Sequence, residues 1–249
     1  MSTALAPERY LELLQADANR LLGVARRGLD AAVPSCPGWS VSDLVEHVGM
    51  VYLHKVECMQ RNAEPEEPWP PPELEGREPL GLMGEALGTL TTELRERGTD
   101  SPSATWWPPD QTSGFWYRRM AQETAVHRVD AELAHDDVTP IDPELAADGV
   151  DEILAVMLRA EWASGPDIEH AVDGRIRVRT GGRSWTVAAS RDEVDVNLDG
   201  DVDPVDVEIS GEPHDVLLWL WGRASDDAVR FAGDQEVAAA LRRRLAETD

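Results

Sequence analysis

The chain has 249 residues, a formal net charge of −25 and two cysteines. That length allows one large core or two smaller ones. The absence of any run of about 18 apolar residues excludes a helical membrane span. The acidity opposes binding to phosphate backbones and anionic membranes, so neither nucleic acid nor membrane is an expected partner. Cys36 and Cys58 are too few for a disulfide framework and form no CxxC pair, which fits free thiols in a reducing compartment. The first residues carry neither a basic segment nor an apolar one, so no secretory signal is expected and the cytoplasm is the expected location.

The apolar spacing predicts a first helix from Pro7 to Arg27, with Tyr10, Leu11, Leu14, Ala18, Leu21 and Leu22 on one stripe. A Pro- and Gly-containing turn over 33–39 leads to Ser40, an N-cap with Asp43 at the capping-box position, and a second helix to about Asn62. Six prolines between 63 and 79 predict an extended loop that links rather than packs. A third helix is expected over 80–97, then a loop with Trp106 and Trp107, then a fourth helix over 115–134. A fifth, over 143–162, ends at Gly165-Pro166.

Beyond about residue 165 the apolar period changes to two. Strands are expected at 175–179, 184–188, 194–198 and 205–209, read as antiparallel and joined by turns at Gly181-Gly182, Asp192 and Asp199-Gly200. A short strand at 229–231 lies between helices at 213–223 and 234–245. The expected organisation is a helix bundle over 1–164 followed by a small α+β domain over 165–249.

The candidate chemistry centres on the fourth helix. Glu123 and His127 are four residues apart, so both project from one face about one turn apart. Alone, such a pair is most often a surface pair or an interhelical hydrogen bond. His47 on the second helix changes the reading: if the two helices pack face to face, His47, Glu123 and His127 meet in a bundle core, a usual place for metal sites. Two imidazoles and a carboxylate suit Zn²⁺ or a similar divalent ion, and three protein ligands leave a coordination position open. A buried carboxylate without compensation costs several kcal/mol, which a divalent cation removes. Asp130 either orients a neighbouring polar group or pairs with Arg128. His54 and Cys36 are candidates for a further ligand, with packing the alternative for the cysteine. His135, His170 and His214 fall near element ends and read as solvated, and Trp39, Trp106, Trp107 and Trp116 either line a cleft or fill the core.

Three blocks, Val33 to His47, Glu123 to Glu132 and Gly211 to Arg223, resemble the mycothiol-dependent maleylpyruvate isomerase family in order and span nearly the whole chain. The resemblance implies a DinB-like four-helix bundle followed by a smaller α+β domain like that of sterol carrier proteins. It implies His47, Glu123 and His127 as zinc ligands, mycothiol as thiol cosubstrate and Arg223 as a catalytic residue, with Arg77 a second candidate for holding substrate carboxylates. The implied activity is cis–trans isomerisation of an electrophilic small molecule by thiolate addition and elimination, or a related thiol S-transfer. The alternative is a non-catalytic, metal-containing protein that binds a small molecule or lipid.

Overall fold

The computed structural model describes residues 4–163, 172–191, 193–198 and 202–246. The expected break at Gly165-Pro166, His170, and the turns at Asp192 and Asp199-Gly200 lie outside the described residues. The chain forms two compact units that divide between Thr139 and Pro140.

The first unit holds four long helices: α1 (Pro7–Ala25), α2 (Val41–Arg61), α3 (Pro79–Arg97) and α4 (Ser113–Leu133). Each start has a local cause. Proline occupies the first turn of α1 and α3, where its missing N–H costs nothing. Ser40 caps α2 by a complete capping box: its Oγ accepts from the Asp43 N–H at 3.3 Å, and Asp43 Oδ2 accepts from the Ser40 N–H at 2.8 Å. The Ser40 hydroxyl, which also donates to Asp43 Oδ2 at 2.6 Å, and the Ser40 N–H hold the Asp43 carboxyl below the usual carboxylate range. Ser40→Ala is expected to lower stability by about 1 kcal/mol, read as a shifted denaturant midpoint with unchanged slope. At the other end, Asn62 in the left-handed conformation (φ 49°, ψ 37°) stops α2.

α1 packs chiefly on α4 and α2 on α3, with α2 also meeting α4. Gly49 permits the close approach of α2 to α3, because a Cβ there would lie 3.2 Å from the Met83 Cα. α4 is the central helix. Most of its residues are buried, including the polar Arg119, Gln122, Thr124, Arg128, Asp130 and Glu132. Buried polar groups demand partners: Thr124, Arg128, Asp130 and Glu132 each bond to another segment, and Arg119 bonds to Glu123 of α4 itself. The Thr124 hydroxyl donates to the Met120 carbonyl at 2.6 Å, which makes the Tyr52 hydroxyl of α2, 2.6 Å away, the donor to Thr124. Trp116 is fully buried and donates from Nε1 to Ser103 Oγ at 2.9 Å, so it is core, whereas Trp106 is exposed with its ring edge-on to Phe115.

The second unit begins with α5 (Pro143–Glu152), continues through one π-helical turn at Ile153–Met157, and then into α6 (Leu158–Ala163). The single fifth helix read from the sequence is therefore interrupted. α5 packs on α7 (Pro213–Leu220), which assigns it to the sheet-containing unit and sets the division earlier than the expected 164/165. Five strands follow: β1 (Gly174–Thr180), β2 (Arg183–Ala189), β3 (Val194–Leu198), β4 (Val207–Ser210) and β5 (Arg230–Gly233), in the order β3-β2-β1-β4-β5. Gly181 and Gly182 (φ 57° and 74°) make the two-residue turn that joins β1 to β2. The expectation of an all-antiparallel sheet is corrected: β1 and β4 pair in parallel, Ile176 opposite Val207 and Val178 opposite Ile209. Alternation reports that one face of a strand is buried, not which strand lies beside it. α8 (Gln235–Leu245) lies against β1 and β4.

Candidate metal centre

α2, the turn before it and the middle of α4 build the site. His47 and His127 approach each other with ring centroids 5.1 Å apart at an interplanar angle of 80°. Between them lies Glu123, whose Oε1 is 3.4 Å from His47 Nε2 and 3.1 Å from His127 Nε2. Ligands held about 2.0–2.1 Å from one tetrahedral ion are separated from each other by about 3.4 Å. One donor atom from each of the three residues lies within 4.8 Å of the other two. The donor set and its spacing therefore fit a divalent ion with His47, Glu123 and His127 around it.

Each donor is oriented from behind. His127 Nδ1 lies 2.9 Å from Asp130 Oδ2, and the fully buried Asp130 also accepts from Ser35 Oγ at 2.5 Å and from Cys36 Sγ at 3.7 Å. With Nδ1 carrying the proton toward Asp130, Nε2 presents its lone pair to the Glu123 side. Cys36 thus serves the carboxylate behind the imidazole. Ser35 and Cys36 are delivered by the tight turn that closes with Val33 N–H bonded to the Trp39 carbonyl at 2.9 Å, a path that requires Gly38 at φ 88°. The same turn sets Trp39 against His47, ring centroids 5.0 Å apart and planes tilted by 58°. Arg119, one turn before Glu123, donates from Nη2 to Glu123 Oε2, which leaves Oε1 toward the histidines. Asp130→Asn is expected to weaken metal affinity about 10- to 100-fold with the fold retained, measured by competition against a chromophoric chelator.

The electrostatics follow from this crowding. Burial pushes the Glu123 carboxyl up, but His127 and Arg119 more than offset it and hold the group well below the usual carboxylate range. Burial likewise pushes the His127 imidazole down, and Glu123 and Asp130 reverse that, raising it to about 10. Two carboxylates against one imidazole create a demand for positive charge at this spot, met by a proton or by a metal ion.

The other sequence candidates fall elsewhere. His54 joins Cys58 and Glu64 instead of the His47 group. Arg77 pairs with Glu85 at 2.7 Å. Arg128 pairs with Asp17 and Glu132. His135 was read as solvated, yet its Nε2 is buried without a hydrogen-bond partner; His214 Nδ1 accepts from the Ile141 N–H at 3.1 Å. In the second unit Arg223 follows α7, donates from Nη1 to the Trp221 carbonyl at 2.7 Å and lies 5.8 Å from the Trp221 ring centroid. The sequence reading missed Arg119, although its i,i+4 spacing to Glu123 was a usable signal, and it missed Ser35, for which no local pattern exists.

A His/Glu/His donor set on facing helices of a four-helix bundle, followed by a separate α+β unit, defines a two-unit protein with a candidate metal centre in its helical part. The mycothiol maleylpyruvate isomerase N-terminal domain family matches residues 10–132, and the MDMPI C-terminal domain family matches residues 144–240. The chain belongs to the mycothiol-dependent maleylpyruvate isomerase family. Among solved structures, the crystal structure of the mycothiol-dependent maleylpyruvate isomerase is similar at 16% identity and a TM-score of 0.60, over 92% of this chain and 93% of that one. A histidine-to-alanine mutant of that enzyme matches at 17% identity, TM-score 0.60, over the same shares. Sterol carrier protein 2 like 2 from Aedes aegypti matches over 39% of this chain and 95% of its own length, at 20% identity and a TM-score of 0.30. At 16–17% identity the likeness to the isomerase structures is one of fold. No curated protein sequence matches the chain.

Proposed function

We propose that the protein is a zinc- and mycothiol-dependent isomerase of the maleylpyruvate isomerase type. The observation that carries this reading is the convergence of His47 Nε2, Glu123 Oε1 and His127 Nε2 from two helices, with Asp130 fixing the imidazole from behind. In the proposed holoenzyme His47, Glu123 and His127 hold the ion, which supplies Lewis acidity that lets a thiol lose its proton near neutral pH. Arg119 keeps Glu123 ionised and turned toward the ion. Asp130 keeps the His127 proton on Nδ1, so the imidazole remains a neutral donor through Nε2. Trp39 packs on His47 and shields that side from water.

The proposed reaction is reversible addition. The mycothiol sulfur bonds to the activated alkene carbon of a cis-enedione-like acid, the carbon–carbon double bond becomes single, and rotation follows. Elimination then restores the double bond in the trans geometry and releases the same thiolate, so no net oxidant or reductant is required. Arg223 is the proposed partner of a substrate carboxylate, which its planar fork can hold by two hydrogen bonds. Arg223→Lys keeps the charge and loses the fork, and a rise in KM of about tenfold with a smaller change in kcat is the expected result.

The deciding experiment follows maleylpyruvate absorbance with the zinc-loaded protein and mycothiol. The reading expects conversion to the trans isomer with the thiol pool unchanged. Stoichiometric loss of thiol to an electrophile would instead identify an S-transferase, and zinc-loaded protein inert with mycothiol against both would overturn the enzymatic reading in favour of a binding protein.

A further inference from the structure

Metal-ligating side chains gather a second time on α2, beginning seven residues after His47 and therefore about 10 Å further along the helix. His54 and Cys58 are separated by four residues and share a face. Asn62 then reverses the chain and brings Glu64 back onto that face. Cys58 Sγ lies 3.5 Å from His54 Nδ1 and 3.6 Å from Glu64 Oε2, and one donor atom from each of the three residues lies within 4.8 Å of the other two. Trp69 sets its ring edge-on to the His54 imidazole, centroids 5.1 Å apart at 83°. The stretch read from sequence as a mere linker thus contributes both a carboxylate and an aromatic wall to α2.

We propose that His54, Cys58 and Glu64 form a second binding site for a thiophilic divalent ion such as Zn²⁺, independent of the His47 centre and of the isomerase reading. The distances support it. A sulfur at about 2.3 Å and a nitrogen or oxygen at about 2.0–2.1 Å from one tetrahedral ion stand about 3.6 Å apart, and the two sulfur-to-donor distances are 3.5 and 3.6 Å. Thiolate, imidazole and carboxylate together are a borderline-soft set that selects zinc-like ions over calcium or magnesium. Cys58 is fully buried while the Glu64 side chain is 61% exposed, so the site opens to solvent at its carboxylate. On binding, the Cys58 thiol releases its proton to solvent, and Lys55, whose Nζ is 3.1 Å from His54 Nδ1 and 5.0 Å from the Trp116 ring centroid, gives up its contact with that nitrogen. A thiolate, a carboxylate and a neutral imidazole then balance the dication.

The sulfur gives a spectroscopic handle, because the His47, Glu123 and His127 donor set contains none, and the Cys36 thiol beside His127 and Asp130 is controlled for by Cys36→Ser. Metal-free full-length protein titrated with Co²⁺ is expected to bind a second equivalent that develops a near-ultraviolet sulfur-to-cobalt charge-transfer band. Cys58→Ser is expected to abolish the band. Because Cys58 is buried, His54→Ala and Glu64→Gln provide gentler variants, each expected to weaken the second equivalent by about tenfold or more. His47→Ala is expected to remove only the sulfur-free equivalent, which separates this site from the proposed catalytic one. The proposal is overturned by saturation without a charge-transfer band, by a band that survives Cys58→Ser and disappears in Cys36→Ser, or by unchanged affinity in both gentler variants.

Discussion

His127→Ala is expected to purify with less than about a tenth of its zinc and to lose isomerisation by more than about a hundredfold, because it removes a donor and not merely that donor's support. The variant also takes one partner from Asp130 and one from Glu123 Oε1 in a single step. The fully buried Asp130 and the largely buried Glu123 then lose the imidazole that bridges them, while Arg119 remains on Glu123. Metal analysis of the purified protein, with circular dichroism to establish that α4 persists, separates ligand loss from unfolding. Full zinc occupancy in His127→Ala would sink the assignment of this imidazole, whatever the activity.

The largest stability effect is expected away from the metal centre, at the far end of α4. Arg128 and Glu132 are both buried and bonded to each other at 2.7 Å. Arg128 also reaches Asp17 of α1 at 3.1 Å and the Thr139 carbonyl at 2.6 Å, while Glu132 accepts from the Thr139 N–H at 2.9 Å and from Arg20 at 2.6 Å. This network ties α1 to α4 and to the segment where the first unit ends. Glu132→Gln leaves the Arg128 charge without its buried counterpart and is expected to cost about 3–5 kcal/mol in unfolding of the first unit, whereas replacing both members by apolar residues of similar volume costs far less. The pH dependence has a definite sign. Burial pushes the Glu132 carboxyl up, but Thr139, Arg20 and Arg128 more than offset it, so its folded pKa lies below its unfolded value. Its contribution is therefore complete above about pH 4.5 and is lost as pH falls through the lower folded value. Acid titration of the wild type against Glu132→Gln checks this: the stability difference between them should shrink only in that acidic window.

The bundle and the convergence of His47, Glu123 and His127 were legible because their signals are local or periodic. Proline, serine and asparagine mark the helix ends through the backbone itself, and Glu123 with His127 follows from the 3.6-residue turn. His47 required one further step, that α2 and α4 face each other. Apolar spacing alone could not rotate α4 about its axis, because α4 is buried on nearly every side and has no strongly favoured face. What was not legible depends on contacts between distant segments. Glu64 and Trp69 sit in a proline-rich loop whose composition reveals extended backbone and nothing about where it folds back. The parallel pairing of β1 with β4 is a matter of topology, invisible in the alternation of either strand. The π turn at Ile153–Met157 leaves the apolar pattern of a helix intact while shifting its register, so one helix was read where three segments exist.

Arg119 has a consequence for which molecules the protein attracts. The chain as a whole carries −25, which repels acids at long range. Beyond about 8 Å at physiological salt that repulsion is largely screened, so an arriving anion responds mainly to its near surroundings. There, Glu123 and Asp130 are offset in part by the Arg119 guanidinium, and the proposed dication, held among them, would tip the neighbourhood to a net positive sign. A strongly acidic molecule can in this way keep one small anion-welcoming spot, and removing the ion should switch that welcome into rejection.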